Sequence, residues 1–168
     1  MDWPQFVVQW LHVLLAIIWF GAALTTNLIF IPAITKLPLD RQREVAGSYG
    51  AVASRILNIV APIVIVLGVI RGTAFGPIRS LDALTTAYGV TWLVALVAAL
   101  LTWAWARFRI EPALARMNAI PVETAILPDG SISPEMDAAV SAAKRNAALE
   151  LIGFFIVFTC MILMRFGY

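Results

Sequence analysis

The sequence predicts an all-α integral membrane protein: one domain over residues 1–168, a four-transmembrane-helix bundle with both termini outside. Three observations carry that expectation. Hydrophobic residues fill 61% of the positions and charged ones only 13%, about half the charged share of ordinary soluble domains. Four long apolar stretches recur along the chain, each near the roughly 20 residues that cross a bilayer core of about 30 Å. The basic residues cluster in alternate connections between those stretches. A formal charge of +2 gives no reason to expect a nucleic-acid partner, and the single cysteine, Cys160, excludes a disulfide within the chain.

The first helix is expected over about residues 4–30. Pro4 suits a first helical turn, no charge interrupts Trp3 to Thr35, and Ile31-Pro32 is expected to end the helix. The flank Met1-Asp2 has no basic residue and no small-residue cleavage site follows, so this helix is expected to stay rather than act as a cleaved signal. The second helix is expected over about 45–70, bent at Pro62 and closed by Arg71-Gly72. Its uncharged core, Ile56 to Ile70, is short for a span, which puts Arg55 at the membrane edge or inside the bundle.

The third helix is expected over about 87–110. Ala95, Ala98, Ala99, Thr102 and Ala106 form a small-residue stripe that lets helices approach closely. Trp92, Trp103 and Trp105 fit aromatic belts at the two interfaces. Within the polar stretch Arg107 to Lys144, Ile126-Leu127-Pro128-Asp129-Gly130-Ser131-Ile132 carries turn chemistry between short apolar runs, the pattern of a small hairpin. Ser133-Pro134-Glu135 starts the fourth helix, expected over about 134–164, with Ser as cap and Pro at the first position. That length exceeds the bilayer core by several turns, so its beginning should project into water.

Orientation follows from Lys and Arg. Lys36, Arg41, Arg43, Arg55, Arg107, Arg109, Arg116, Lys144 and Arg145 lie on one side, and Arg71, Arg79 and Arg165 on the other. Nine against three places linkers 31–54 and 107–143 in the cytoplasm of a multi-pass cell-membrane protein.

Two polar layers remain within the spans. His12, the only histidine, lies roughly 10 Å inside the first helix at 1.5 Å per residue. Ala16, Trp19 and Ala23 share its face on a 3.6-residue period, and the two alanines leave room for a flat ligand beside the imidazole. The alternative is a packing face on which His12 donates to a carbonyl. Intramembrane ionisable residues are functional candidates by default, which favours the ligand. Nearer the cytoplasmic face come Asn27, Arg55, Asn58 and Glu150, with Arg55 and Glu150 expected to form an intramembrane ion pair that sets helix register. One histidine and an apolar slot suffice for a haem. A copper site would draw on His12 with Met161 and Met164, whose thioethers suit Cu(I).

Trp10-Leu11-His12 through Trp19-Phe20-Gly21, followed by Pro32, resembles the first helix of a four-helix membrane superfamily. That superfamily holds the copper-resistance D (copper export) proteins and the haem-containing membrane protoporphyrinogen oxidases. Arg55 through Gly68-Val69-Ile70-Arg71 resembles its second helix, Thr86-Ala87-Tyr88-Gly89 the entry to its third, and Arg145 through Glu150 the start of its fourth. The resemblance implies that His12 ligates haem. The chain has no lysine between Lys36 and Lys144, where the oxidases carry one in the third helix. It also lacks the rich His and Met content of the copper exporters.

The functional expectation is therefore a haem b-binding membrane protein with a redox or electron-transfer role, His12 as axial ligand. If it is an enzyme, it is a haem-dependent membrane oxidoreductase. Its expected partners are the lipid bilayer, a second copy in a homodimer through small-residue faces, and a redox partner or quinone. The rivals are a copper transport or resistance protein using His12, Met161 and Met164, and a non-catalytic membrane scaffold or accessory subunit.

Overall fold

The computed structural model describes residues 2–168. Four helices are long and apolar enough to cross a membrane: α1 (Trp3–Ile34), α2 (Leu39–Thr73), α3 (Ala87–Ala119) and α4 (Pro134–Arg165). Among the described residues the only pairing of strand type is a single antiparallel bridge between Ile126 and Ile132. It closes the expected turn, where Gly130 takes a left-handed φ of 83° that favours glycine.

Two helices run past their expected ends for one shared reason. Pro32 and Pro112 each lack an N–H, and each ring would press on the carbonyl four residues back. In both places the helix widens by one residue into a π turn, Thr26–Phe30 in α1 and Ala106–Ile110 in α3. The Ile31 N–H then donates to the Thr26 carbonyl, and the Glu111 N–H to that of Ala106. Each helix passes through its proline. Thus α1 continues to Ile34, and α3 to Ala119 instead of about 110.

α2 begins at Leu39, earlier than residue 45, because Asp40 to Glu44 are helix-compatible and Arg41 pairs with Glu44 at 2.8 Å. The start of α4 matches its expected cap: the Ser133 hydroxyl accepts the Met136 N–H at 3.3 Å. Thr86 caps α3 in the same way, accepting from Gly89 at 3.1 Å.

α1 packs closely on α2, and α3 on α4. The two pairs join through α2 against α3 and a lighter contact of α1 with α4, so α2 and α4 face each other across the diagonal. The α3–α4 seam is the expected small-residue stripe: Ala95, Ala99 and Thr102 are buried, and Gly153 of α4 lies against Thr102. A Cβ on Gly153 would stand 2.1 Å from Thr102 Oγ1. This part of the stripe is buried within the chain, while Ala98 and Ala106 are half-buried.

The centre of the bundle is an apolar cluster of Trp19, Ala23, Val60, Ala61, Val64 and Phe154. A smaller cluster of Ile120, Ala125 and Met136 closes the linker end. Trp92, Trp103 and Trp105 are half-buried in packing, whereas Trp3 and Trp10 are 65% and 55% exposed.

Candidate functional site

His12 is buried, as are Trp19 and Ala23 on its helix face. Its Nδ1 lies 3.1 Å from the Val64 carbonyl oxygen on α2. A carbonyl only accepts, so Nδ1 carries the proton, and the lone pair of the neutral ring is on Nε2. One turn further along α2, Gly68 lets the ring approach the backbone. A Cβ there would sit 3.1 Å from His12 Cε1 and 3.7 Å from Nδ1. Val64 and Gly68 thus hold the imidazole by its edge.

The imidazole lines a cavity of about 910 Å³ between the two helix pairs, toward the end that carries both termini. That lies at the upper end of the ~300–1,000 Å³ common for ligand pockets. Its floor is aromatic. Trp19 meets Phe154 edge-on at 4.9 Å between ring centroids, and Phe20 stacks on Phe154 at 5.3 Å. Ala16, Ile65, Gly68, Leu96 and Val157 line the walls. Trp92 closes another wall against Gly72, where any Cβ would stand 2.0 Å from the indole nitrogen. The polar groups converge at the mouth: Gln9, Arg71, Arg79, Tyr88 and Arg165.

Ala16 and Trp19 reach the cavity, as their shared face with His12 implied. Ala23 does not; it packs beneath Trp19 in the central cluster. The room beside the ring comes from Ala16 and from Gly68 across the helix interface. Met161 and Met164 line the same cavity, whereas Cys160 is buried on another face. Among the described residues no three His, Cys, Asp or Glu side chains come together, so any metal group held here would rest on His12 as its one such ligand.

The second polar layer is rebuilt around a different acid. Arg55 is exposed, and it forms no ion pair with Glu150 among the described residues. They stand on the diagonal helices α2 and α4, which explains the missing contact. The carboxylate that α2 meets is Glu111, carried in by the π turn of α3. Ser54 Oγ and Asn58 Nδ2 each donate to its Oε1 at 3.2 Å, and Arg107 pairs with its other oxygen. Asn58 also donates to Ser54 Oγ at 3.1 Å. Asn27 turns back on its own helix, donating to the Ala23 carbonyl at 2.9 Å.

Sequence reasoning passed over Glu111 because the third helix was expected to stop one residue earlier. The Arg107/Glu111 spacing of four was the available signal. It also missed Gln9 and the cavity roles of Gly68 and Gly72. Ala61, Gly68 and Gly72 mark one small-residue face of α2 that could have revealed the gap.

No family model matches this chain, and no curated protein and no solved structure matches it.

Proposed function

We propose that the protein is an integral membrane haem b protein with a redox or electron-transfer role, and that His12 is its axial ligand. The observation that carries the reading is the cavity of about 910 Å³ that His12 lines; the bond from its Nδ1 to the Val64 carbonyl is common to the packing alternative and is compatible with a ligating ring. A metal-bound histidine ordinarily donates its other N–H to a carbonyl or carboxylate, which fixes the ring and its tautomer. The donor set suits iron held by one imidazole in an apolar slot.

The chain's own residues divide the work. Val64 orients the ring and Gly68 makes space for it, while Trp19, Phe20 and Phe154 close the inner side against water. Bound haem supplies a one-electron couple, for which a redox protein or quinone is the expected partner. The uneven placement of Lys and Arg supports a cell-membrane orientation with the cavity's mouth and both termini outside.

The test is spectroscopic. Protein purified after expression with ample haem should show a Soret band, and His12→Gln should lose most of it while remaining folded. Glutamine keeps an amide donor for the Val64 carbonyl but does not replace imidazole on iron. Wild-type protein without bound haem would reject the reading.

One specific observation favours a copper role as the second reading: Met161 and Met164 line the same cavity as His12. Copper retained by the wild type and lost in both His12→Gln and Met161→Leu would support it. A protein that binds neither metal leaves His12 as a packing residue in a scaffold.

A further inference from the structure

The haem reading uses one side of the cavity and leaves its charge unexplained. Arg71, Arg79 and Arg165 all line it, and among the described residues that do so none is acidic. None of the three takes part in an ion pair; the two pairs among the described residues are Arg41–Glu44 and Arg107–Glu111. Arg71 is half-buried and Arg79 and Arg165 are exposed, so three cationic side chains border one opening with no acidic residue among its described lining.

The innermost of them is also held in place. Arg71 Nε donates to Gln9 Oε1 at 2.7 Å and Nη1 to the Phe75 carbonyl at 3.0 Å. Its position is thus set from α1 and from the end of α2, with the second terminal nitrogen, Nη2, outside both bonds. Arg79 is anchored more lightly, through Nε to the Gly76 carbonyl at 3.3 Å, and Arg165 closes α4. Arg71 lies three residues beyond Gly68, about 4.5 Å along the helix axis. The cavity therefore grades from an apolar, aromatic floor, past the imidazole, to a cationic rim. Such a gradient matches a ligand with an apolar body and anionic groups at one edge. Guanidinium forks pair with carboxylates in a matching planar geometry.

We propose that Arg71, Arg79 and Arg165 form a carboxylate clamp, so that the cavity selects a porphyrin bearing free carboxylates over one whose carboxylates are masked. The inference rests on the haem reading for the identity of the apolar body, but it assigns residues that reading does not use.

Iron-free protoporphyrin IX and its dimethyl ester separate the two ideas, because neither has a metal for His12 to ligate. Full-length protein in detergent is titrated with each by absorption and fluorescence, corrected for protein-free micelles. The diacid should bind at least about tenfold more tightly than the ester. Arg79→Gln/Arg165→Gln should weaken the diacid about tenfold, two rim contacts of this kind together reaching that size, and leave the ester unchanged. Arg79→Lys/Arg165→Lys keeps the charge and should restore most of the affinity, which separates the clamp from misfolding. Equal binding of diacid and ester, no binding of either, or an Arg79→Gln/Arg165→Gln variant with unchanged diacid affinity overturns the clamp. A protein that prefers the diacid yet gives haem no His12-dependent Soret band keeps the clamp and removes the axial-ligand reading.

Discussion

Substituting Gly68 by alanine tests the seat of the imidazole without touching the imidazole itself. The new Cβ would stand 3.1 Å from His12 Cε1, whereas carbon atoms rest at about 3.5–4.0 Å. The ring must retreat by roughly 0.5 Å. Val64 and Gly68 lie one turn apart on α2, so moving away from the new methyl also moves the ring away from the Val64 carbonyl. The hydrogen bond, 3.1 Å at the outset, lengthens to about 3.6 Å, outside the range of a real bond. Its loss costs about 1 kcal/mol, and replacing a mid-helix glycine by alanine returns up to about 1 kcal/mol. The fold should therefore keep its stability to within about 1 kcal/mol. Ligand orientation should suffer far more, because loss of the partner that holds a ligating histidine typically costs about 10–100-fold in affinity. Titrating haem into purified Gly68→Ala protein, with the Soret band for binding and thermal unfolding for stability, measures both. Haem affinity within about twofold of wild type would falsify the view that this edge-on hold presents His12 to iron.

The remaining predictions concern packing, charge and orientation. Gly153→Ala forces a Cβ against Thr102 Oγ1 at 2.1 Å, and overpacking of this kind should destabilise the α3–α4 pair by about 1–3 kcal/mol; adding Thr102→Ala should recover part of that loss in the same unfolding assay. Arg55→Ala and Glu150→Ala should be additive to about 0.5 kcal/mol, whereas Ser54→Ala and Glu111→Ala should couple by more than that; strong coupling in the first pair would contradict the diagonal arrangement. In the turn between α3 and α4, the Ser131 hydroxyl and then its backbone N–H hold the Asp129 carboxyl below its usual range. That stabilisation is present at neutral pH and fades as pH falls through the lowered value, so Ser131→Ala should bring the carboxyl back toward an ordinary titration by NMR. Ser131→Cys in otherwise cysteine-free protein should be labelled in intact cells only by a membrane-permeant reagent; labelling by an impermeant one would reverse the proposed orientation.

The architecture was legible in the sequence because it follows from local quantities. Mean hydropathy over each stretch, the absence of charge from Trp3 to Thr35 and the Ser133-Pro134 cap depend only on neighbouring residues, and they located four helices and the start of α4. The grouping of Ala16, Trp19 and Ala23 with His12 on one face was also readable, since it is a property of the helical repeat. Helix ends were less so. Pro32 and Pro112 terminate a regular helix, and only the packed bundle makes a widened π turn the cheaper answer.

What the tertiary structure alone decided is which helices meet. Arg55 and Glu150 have opposite charges at similar depths, yet the α1–α2 and α3–α4 pairing sets them on the diagonal and gives Glu111 to Ser54 and Asn58 instead. The same pairing brings Val64 and Gly68 to His12 across 52 and 56 positions of chain, and gathers Arg71, Arg79 and Arg165 around one cavity. Depth and face are inherited from one helix at a time. A partner is chosen by the close approach of two backbones, and that depends on where glycine and alanine on one helix meet larger side chains on the next.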